Sequence, residues 1–385
     1  MFHLIASVIF FYVALRLVVP QPLGRAAKLA AILALLLVAE QHFFMRYFLG
    51  GMAAPGLPFG ALLIQGWLYG AFILLALFLL AMDAVALVFA LTRRLGLPLR
   101  LPFSQAKRAS LLLVLALCLA AYGEWQAIRE PETRNVEVVL DRLPPALDGL
   151  SLVQITDPHA SALLRGPCLR AIVDKTLAMQ PDLVLLTGDL VDGAPALRAD
   201  DVAPLKDLRA RFGVFACPGN HEYYSNYDAW MRAFADMGIV ELTNSHVVLS
   251  ARGQPLVIAG LTDPAASRFG LPEPDIQAAL AGAPPGAPII LMAHQPRTAP
   301  DNALAGVDLQ LSGHTHGGQI LWLRPLVERF NGGFISGWYS LDKGKSQGKM
   351  KMYVSNGAGL WAGFPIRLGV PAEITRIVLR SPEKP

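Results

Sequence analysis

Apolar residues are spread unevenly along the 385-residue chain, and their density divides it into two parts. The first third holds four apolar runs of the length that a bilayer crossing requires, about 20 residues with a range of about 17 to 25. They occupy residues 2–19, 30–48, 63–91 and 109–125. This pattern predicts a transmembrane region of four helices over residues 1–125, followed by a polar linker over residues 126–134.

Beyond the linker, the apolar runs are short and change between two periodicities. Residues 135–140 alternate polar and apolar positions, as a half-buried strand does. Five later runs are continuous and short, which is typical of buried strands: residues 152–156, 183–186, 214–216, 288–292 and 309–311. Apolar residues recur with helical spacing over 168–179 and around 203–211. The pattern predicts one α/β domain over residues 135–385.

Acidic, amide or imidazole side chains follow each of the five continuous runs. Taken singly, each has an ordinary explanation as a helix cap, a turn or a buried histidine. Ligand sites of α/β sheets lie at the carboxyl ends of the strands, so five such occurrences in order favour one shared site. The candidates are Asp157, His159, Asp189, Asn220, His221, His294, His314 and His316.

The last two candidates stand one residue apart in the stretch LQLSGHTHGGQ, residues 309–319. Side chains at i and i+2 of a strand-like segment point the same way, so His314 and His316 are expected to face one site. Glycines on either side leave the backbone free to turn. Imidazole suits zinc, manganese or iron as a ligand.

The residue types match the needs of two divalent metal ions about 3.5 to 4 Å apart, which require a bridging carboxylate and terminal ligands on each side. Asp189 suits the bridge, because a carboxylate has about four lone-pair sites. His221 exceeds the ligand count and is left for general acid catalysis or for binding a phosphoryl oxygen. Asp157 and His159 form one terminal set, and Asn220 and His294 form the other. One of the two late histidines completes each set, and the residues alone leave open which histidine belongs to which set.

These motifs resemble those of the calcineurin-like metallophosphoesterases, and in particular a bacterial membrane-associated branch of that superfamily. The family pattern is Asp-x-His, Gly-Asp, Gly-Asn-His-Glu, His and Gly-His-x-His, and the chain reads TDPH, TGD, PGNHE, AHQP and SGHTH in the same order. The resemblance implies two packed mixed β-sheets flanked by helices. It also implies a first metal on Asp157, His159, Asp189 and His316, a second metal on Asp189, Asn220, His294 and His314, and His221 as the catalytic histidine.

The resulting interpretation is a membrane-anchored hydrolase of a phosphoester or pyrophosphate that uses two divalent ions, whether manganese, zinc or iron. A water shared by the ions is expected to attack phosphorus in line, while the ions and His221 stabilise the developing charge. The alternative is a membrane sensor or binding protein that keeps the metal site as a ligand receptor with little turnover. His221 favours the enzyme, because a receptor has no need of an acid.

A lipid-linked substrate is a further hypothesis, and it concerns residues 320–339. Apolar and aromatic residues stand there among glycines, with Arg324 and Arg329 between them: Trp322, Leu323, Leu326, Phe330, Phe334, Trp338 and Tyr339. One interpretation is ordinary core from a long loop. The other is a segment that grips the acyl or interfacial part of a lipid, since apolar residues beside cations are attracted to an anionic interface.

The charge distribution argues against nucleic acid as a partner and predicts the topology. Nine of the 33 Lys and Arg residues and three of the 29 Asp and Glu residues lie at or before Glu124, so the remainder of the chain is close to neutral. A nucleic-acid-binding domain, in contrast, needs a basic face.

Positive links stay in the cytoplasm, so the catalytic domain of this multi-pass inner (plasma) membrane protein is predicted to be extracytoplasmic. The first and third links carry Arg25 and Lys28, and Arg93, Arg94, Arg100, Lys107 and Arg108.

Two charges and three cysteines receive no functional assignment from the sequence. Arg16 and Asp83 interrupt the first and third apolar runs, and the expectation for them is a structural ion pair. Cys118, Cys168 and Cys217 lack the spacing of a metal site, and whether the last two form a disulfide is left open.

The topology makes a testable prediction. A reporter fused after Pro385 is expected to be active outside the cytoplasm, because the basic residues cluster in the first and third links. Paired fusions to a reporter active only outside the cytoplasm and to one active only inside it measure this. A fusion after Arg94 is the internal control. Cytoplasmic activity of the Pro385 fusion would contradict the topology.

Overall fold

The structure, a computed structural model, describes residues 2–52, 54–95, 99, 101–344 and 348–382. Arg100, which contributed to the predicted topology, lies outside the described residues. The chain separates into two compact units. One comprises Met1–Gln126 and Gly363–Ile366, and the other comprises Ala127–Ala362 and Arg367–Pro385.

The first unit is helical. Its α-helices are α1 Phe2–Val13, α2 Arg25–Ala39, α3 Gln41–Phe48, α4 Phe59–Arg94 and α5 Gln105–Ile128. Helices α4 and α5 are long and apolar enough to cross a membrane, and α2 with α3, bent by 59°, makes a third span if the pair is counted as one. The remaining apolar helix is α1 with the π-helical turn Ala14–Val18 that continues it, and this stretch, His3–Val18, is shorter. It rises about 24 Å, less than a hydrocarbon core of about 30 Å. The described residues thus support two or three spans rather than clearly the predicted four.

Several polar side chains inside this unit are paired with one another. Arg16 lies against the Asp83 carboxylate, which also accepts a hydrogen bond from the Tyr12 hydroxyl at 2.8 Å. Ser7 Oγ donates to Glu40 at 2.8 Å. The structural ion pair expected of Arg16 and Asp83 is therefore confirmed, and these bonds join residues of different helices where the alternative partner is hydrocarbon.

A short segment distant in sequence, Gly363–Ile366, also belongs to the helical unit. The carbonyl of Gly363 lies 2.9 Å from His42 Nε2, and the Phe364 ring meets the Tyr69 ring edge-on at 5.8 Å. Gly66 makes room for this segment, because a Cβ at that position would come within 2.5 Å of the Pro365 ring. No sequence pattern pointed to this association, because the segment stands about 240 residues after the fourth predicted membrane run, which ends at residue 125.

The second unit is built on two six-stranded mixed sheets. Its strands are β1 Glu132–Val139, β2 Ser151–Ile155, β3 Leu183–Thr187, β4 Val214–Cys217, β5 Val240–Glu241, β6 Ser245–Ala251, β7 Gln254–Gly260, β8 Ile289–Met292, β9 Leu309–Ser312, β10 Gly337–Asp342, β11 Lys349–Val354 and β12 Glu373–Arg380. The strand orders are β1-β12-β2-β3-β4-β5 and β10-β11-β9-β8-β7-β6. Within them, β2, β3 and β4 run parallel, and so do β7, β8 and β9.

Helices lie between the strands in sequence. They are α6 Gly166–Ala178, α7 Pro195–Val202, α8 Asn220–Tyr224, α9 Tyr227–Asp236, α10 Ile276–Leu280, α11 Ala299–Leu304 and α12 Arg324–Phe330. The α/β class with two mixed sheets, which the resemblance implied, is confirmed. The helix predicted around 203–211 is wrong: α7 ends at Val202 and only a 3-10 turn, Ala203–Asp207, follows. Pro204 stands at the start of that turn, where a missing N–H costs least.

Alternating strand residues fill the cores on the two faces of each sheet. Leu152 and Leu185 of the first sheet share one buried cluster with Met292 and Leu311 of the second. Their neighbours on the opposite face, such as Val153, join a second cluster beneath α6 and α9. Burial on both faces explains why these strands read as continuous apolar runs.

The first strand begins earlier than the sequence indicated. Helix α5 ends at Ile128 and β1 begins at Glu132, so ordered elements occupy most of residues 126–134. Strand β1 pairs in parallel with β12, from Glu132 opposite Glu373 to Val139 opposite Arg380. A partner this distant in sequence leaves no trace in the local pattern, which explains the shorter strand predicted at 135–140.

Candidate metal centre

The carboxyl ends of five strands deliver the candidate side chains with nearly constant spacing. In four cases the first candidate stands two residues after the strand, and after β4 it stands three residues on. The pairs of strand end and candidate are Ile155 and Asp157, Thr187 and Asp189, Cys217 and Asn220, Met292 and His294, and Ser312 and His314. Parallel neighbours end at the same edge of a sheet, so these side chains meet.

One cluster consists of Asp157, His159 and His316, which are buried. His159 Nε2 lies 3.3 Å from His316 Nε2 and 3.9 Å from Asp157 Oδ1, and His316 Nε2 lies 3.5 Å from the same oxygen. Nitrogen and oxygen atoms thus converge on one point from two loops, the one after β2 and the one after β9.

The adjacent cluster consists of Asp189, His294 and His314, whose ligand atoms lie within 4.8 Å of one another. Asp189 Oδ2 is 3.2 Å from His294 Nε2 and also 3.7 Å from His159 Nε2. One carboxylate oxygen therefore adjoins both clusters. The Asn220 Oδ1 atom is buried and has no hydrogen-bond partner among the described residues, which leaves an acceptor available at the start of α8.

His314 and His316 do not have the strand-like geometry expected from their spacing. Strand β9 ends at Ser312, and the two histidines have left-handed φ values of 69° and 48°. They join different clusters as a result.

Five of the seven candidate ligands share an uncommon backbone conformation. Asp157, His159 and Asp189 have φ values of 53°, 45° and 54°, and the two late histidines are also left-handed. For residues other than glycine, such conformations cost about 1 to 3 kcal/mol each and persist only where the surroundings impose them. Their concentration at these strand ends marks a site shaped for function.

Glu222 holds the loop of Asp189 and the loop of Gly219 together. Its buried carboxylate accepts hydrogen bonds from Asp189 N at 3.0 Å, Leu190 N at 2.6 Å and Gly219 N at 2.7 Å. Burial, together with the Asp189 charge, raises the pKa of Glu222 to about 7. Gly219 permits this close approach, because a Cβ there would come within 2.2 Å of Asp189 Oδ1.

Asp192 is a site residue that sequence reasoning missed. It is fully buried, and its Oδ1 atom accepts hydrogen bonds from His159 Nδ1 at 3.1 Å and His221 Nδ1 at 2.5 Å. The available signal was a second aspartate three residues after Asp189, in GDLVDG. Asp192 fixes which nitrogen of each imidazole carries the proton and leaves Nε2 directed inward.

The ring hydrogen bonds fit divalent cation binding. A metal-binding histidine usually donates its other N–H to a carboxylate or a carbonyl, as His159 does to Asp192 and as His294 Nδ1 does to Thr187 O at 2.8 Å. The lone pair of His294 Nε2 then faces a carboxylate oxygen of Asp189 at 3.2 Å. In the neutral form of His294, which is the form that binds a metal, these two acceptors at this distance need a cation between them. The donor set therefore suits metals that accept imidazole and carboxylate.

Charge interactions outweigh burial for three groups of the site. Burial opposes the charge of His294, but the Asp189 and Asp157 carboxylates hold its pKa well above its usual value. Burial acts the same way on His221, yet Asp192 and Asp189 raise its pKa to about 9. In return, these imidazoles overcome the burial of Asp189 and hold its pKa well below the usual range.

The pKa values of the two late histidines, His314 and His316, shift in the other direction. Burial, aided by the neighbouring His294, lowers the pKa of His314 to about 3. Burial and His159 hold the pKa of His316 well below its usual value. Both are neutral near pH 7, which is the form that binds a metal ion.

Comparison with known proteins identifies the family. Residues 150–318 match the family model described as calcineurin-like phosphoesterase. The chain is 34% identical over 309 residues to a Campylobacter jejuni protein named "Uncharacterized metallophosphoesterase Cj0846", covering 78% of this chain and 77% of that protein. The chain belongs to the calcineurin-like metallophosphoesterases.

Some relatives are named as transmembrane proteins. A Danio rerio protein named "Transmembrane protein with metallophosphoesterase domain" is 33% identical over 283 residues, covering 71% of this chain and 63% of that protein. The chain thus spans less than two thirds of that relative. A Bacillus subtilis protein, "Uncharacterized metallophosphoesterase YkuE", is 30% identical over 257 residues, covering 65% of this chain and 86% of that protein. The likeness to the Danio rerio protein and the apolar helices of this chain together indicate membrane association.

The position of Asp192 makes a prediction. Asp192→Asn is expected to lower kcat/KM or metal affinity by about 10- to 100-fold, because the amide keeps the shape but not the charge that orients two imidazoles. Turnover of a chromogenic phosphodiester and metal content measure this. Asp174→Asn, a change at an exposed aspartate of α6, is the control. An Asp192→Asn protein equal to that control in both measurements would exclude the orienting role.

Proposed function

We propose that this metallophosphoesterase hydrolyses a phosphoester or pyrophosphate at a centre for two divalent ions, with His221 as general acid. The observation that supports the proposal most directly is the environment of one atom. Asp189 Oδ2 has imidazole Nε2 atoms at 3.2 Å from His294, 3.7 Å from His159 and 4.0 Å from His221. Such an oxygen suits a bridge between two ions, with the acid at its side.

The ligands divide between the two ions according to the two clusters. Asp189 serves both, and the metals that suit this nitrogen and oxygen set are manganese, zinc or iron. Asp157, His159 and His316 would hold the first ion, and Asn220, His294 and His314 would hold the second. When bound, the ions supply Lewis acidity that activates water for attack on phosphorus near neutral pH.

His221 is held in position to hand a proton to the leaving group. Its Nδ1 atom is bonded to Asp192, its backbone N–H donates to Asp189 Oδ1 at 2.8 Å, and its ring meets the His159 ring edge-on at 4.6 Å. These contacts direct Nε2 toward the cluster edge, where the leaving oxygen of a bound phosphoester would emerge. General acid catalysis of this kind contributes about 10²- to 10⁴-fold in rate.

We also propose that the second unit, called the catalytic unit from here on, is extracytoplasmic and belongs to a multi-pass protein of the plasma membrane. The basic residues at the end of α4 and the start of α5, Arg93, Arg94, Lys107 and Arg108, support it by the positive-inside rule. A protein in that place meets lipid-linked phosphoesters at high effective concentration, which makes them the substrate class that we propose.

Residues 320–339, proposed as the lipid-gripping segment, divide into two groups. Phe334 and Trp338 pack against the cores of the unit, and the Trp338 ring meets the Tyr353 ring at 4.9 Å. Leu326 and Phe330 are exposed. Trp322, in the same segment, is exposed as well. The proposed lipid contact is therefore assigned to the exposed residues and not to Phe334 and Trp338.

Asp189→Asn tests the shared ligand. It is expected to lower activity and bound metal together, because it weakens the one side chain that serves both ions. Metal analysis of the purified full chain, paired with turnover of a chromogenic phosphodiester in added manganese, measures both. A variant with two ions and near-normal turnover would remove the assignment.

His221→Ala tests the acid separately. Both ions should remain bound while the rate falls by about 10²- to 10⁴-fold, since the residue is proposed to carry a proton rather than a metal. His246→Ala is a matched control, because His246 lies on β6 and bonds to Ala279 O. Loss of one ion from the His221 variant would make that residue a ligand instead.

The substrate class is tested by chain length. The wild-type protein is expected to show a higher kcat/KM for a long-chain phosphoester than for its short-chain version, because the acyl part adds apolar contact. Leu326→Ser should reduce this preference, whereas Leu304→Ser, at an exposed position on α11, should not. Equal values for both substrates in the wild-type protein would leave a soluble phosphodiester as the substrate.

A further inference from the structure

An exposed apolar stripe lies on the 3-10 turn and helix that follow the metal histidines. It consists of Leu321, Trp322, Leu326 and Phe330, whose residues are 50%, 58%, 54% and 74% exposed. The last three are four residues apart, a spacing that places side chains on one helical face. In the described part of this unit, no other helix or strand carries more than one large exposed apolar residue. Single exposed residues are ordinary, but a contiguous group marks an interaction surface.

The stripe belongs to a segment that is fixed from its other side. Ile320 is fully buried, and Leu321 N donates to Leu368 O at 3.0 Å. Helix α12 starts against the loop of the metal histidines, because a Cβ on Gly318 would come within 3.1 Å of Arg324 Cα. The outward apolar face is therefore part of a folded element.

The charges beside the stripe indicate which surface it fits. Arg329 is exposed and Arg324 is partly exposed, while Glu328 is the single acid in α12. Tryptophan, phenylalanine and leucine beside arginine are typical of helices that lie in the headgroup region of a bilayer. Cations close to the surface are attracted to anionic lipids. The chain carries its own apolar spans, so lipid is the surface that accompanies it everywhere.

We propose that this stripe docks on an anionic bilayer surface, with Trp322, Leu326 and Phe330 at the boundary of headgroups and acyl chains. Arg324 and Arg329 then contact the lipid phosphates. Since α12 abuts the turn that carries His316, docking would hold that turn of the metal centre against the lipid surface. The docking requires no turnover and no lipid substrate, so it stands or falls separately from the proposed function.

A fluorescent label on the stripe tests the docking in the full chain. Cys118 and Cys168 are replaced by alanine, and the buried Cys217 is kept. An environment-sensitive fluorophore is attached at Leu326→Cys, and the matched control carries it at Leu304→Cys, which is 64% exposed in the same unit. Both proteins are placed in nanodiscs with about one third anionic lipid, with and without brominated acyl chains.

Docking predicts that brominated lipid quenches the label at position 326 by about twofold or more and leaves position 304 unchanged. Replacing the anionic lipid with neutral lipid should weaken the quenching, because the arginines lose their partners. Equal quenching at both positions, or none at 326, would overturn the proposal. A blue-shifted but unquenched label at 326 would indicate a second copy of the chain as the occupant and would overturn it as well. Phe330→Cys repeats the measurement if the first variant does not fold.

Discussion

The structure of the catalytic unit depends on a concentration of negative charge that is removed from water. Asp157, Asp189 and Asp192 are almost fully buried within a few ångströms of five imidazoles. Isolated buried carboxylates are very costly, so this arrangement is stable only when each charge has a partner of opposite sign. Without a metal, protons on His294 and His221 balance part of it, and a metal at His294 Nε2 would take the place of the His294 proton. The neutral His314 and His316 offer lone pairs to such a cation. The site therefore requires cations to complete it.

The sheets supply the rigidity that this arrangement needs. Backbone strain at the strand ends is held by bonds from outside the site, such as those of Glu222 and of the buried Arg367. The Arg367 guanidinium donates to the carbonyls of Asn356 and Gly359 at 2.8 and 2.7 Å. Gly359 N in turn donates to Asp157 O at 2.9 Å. A ligand loop in an unfavourable conformation is thus fixed by groups with no ligand role, as preorganised sites require.

The helical unit and the catalytic unit meet different physical demands. In the helical unit, charged groups are few and Arg16 is paired with Asp83, because hydrocarbon would offer no other partner. In the catalytic unit, apolar surface is buried between and outside two sheets, and the exposed stripe on α12 departs from this rule. That departure is the observation on which the proposed docking to a lipid surface rests.

The sequence by itself determined the elements with strong local patterns and the identity of the candidate ligands. Buried strands read as short apolar runs, and strand ends carry polar residues within two or three positions, so Asp157 through His316 were found without coordinates. Only the tertiary structure decided what depends on distant partners: the start of β1 beside β12, the segment Gly363–Ile366 among the helices, and the left-handed turns that separate His314 from His316. Asp192 belongs to the same class, because a buried aspartate acquires its role only from the two imidazoles that folding places against it.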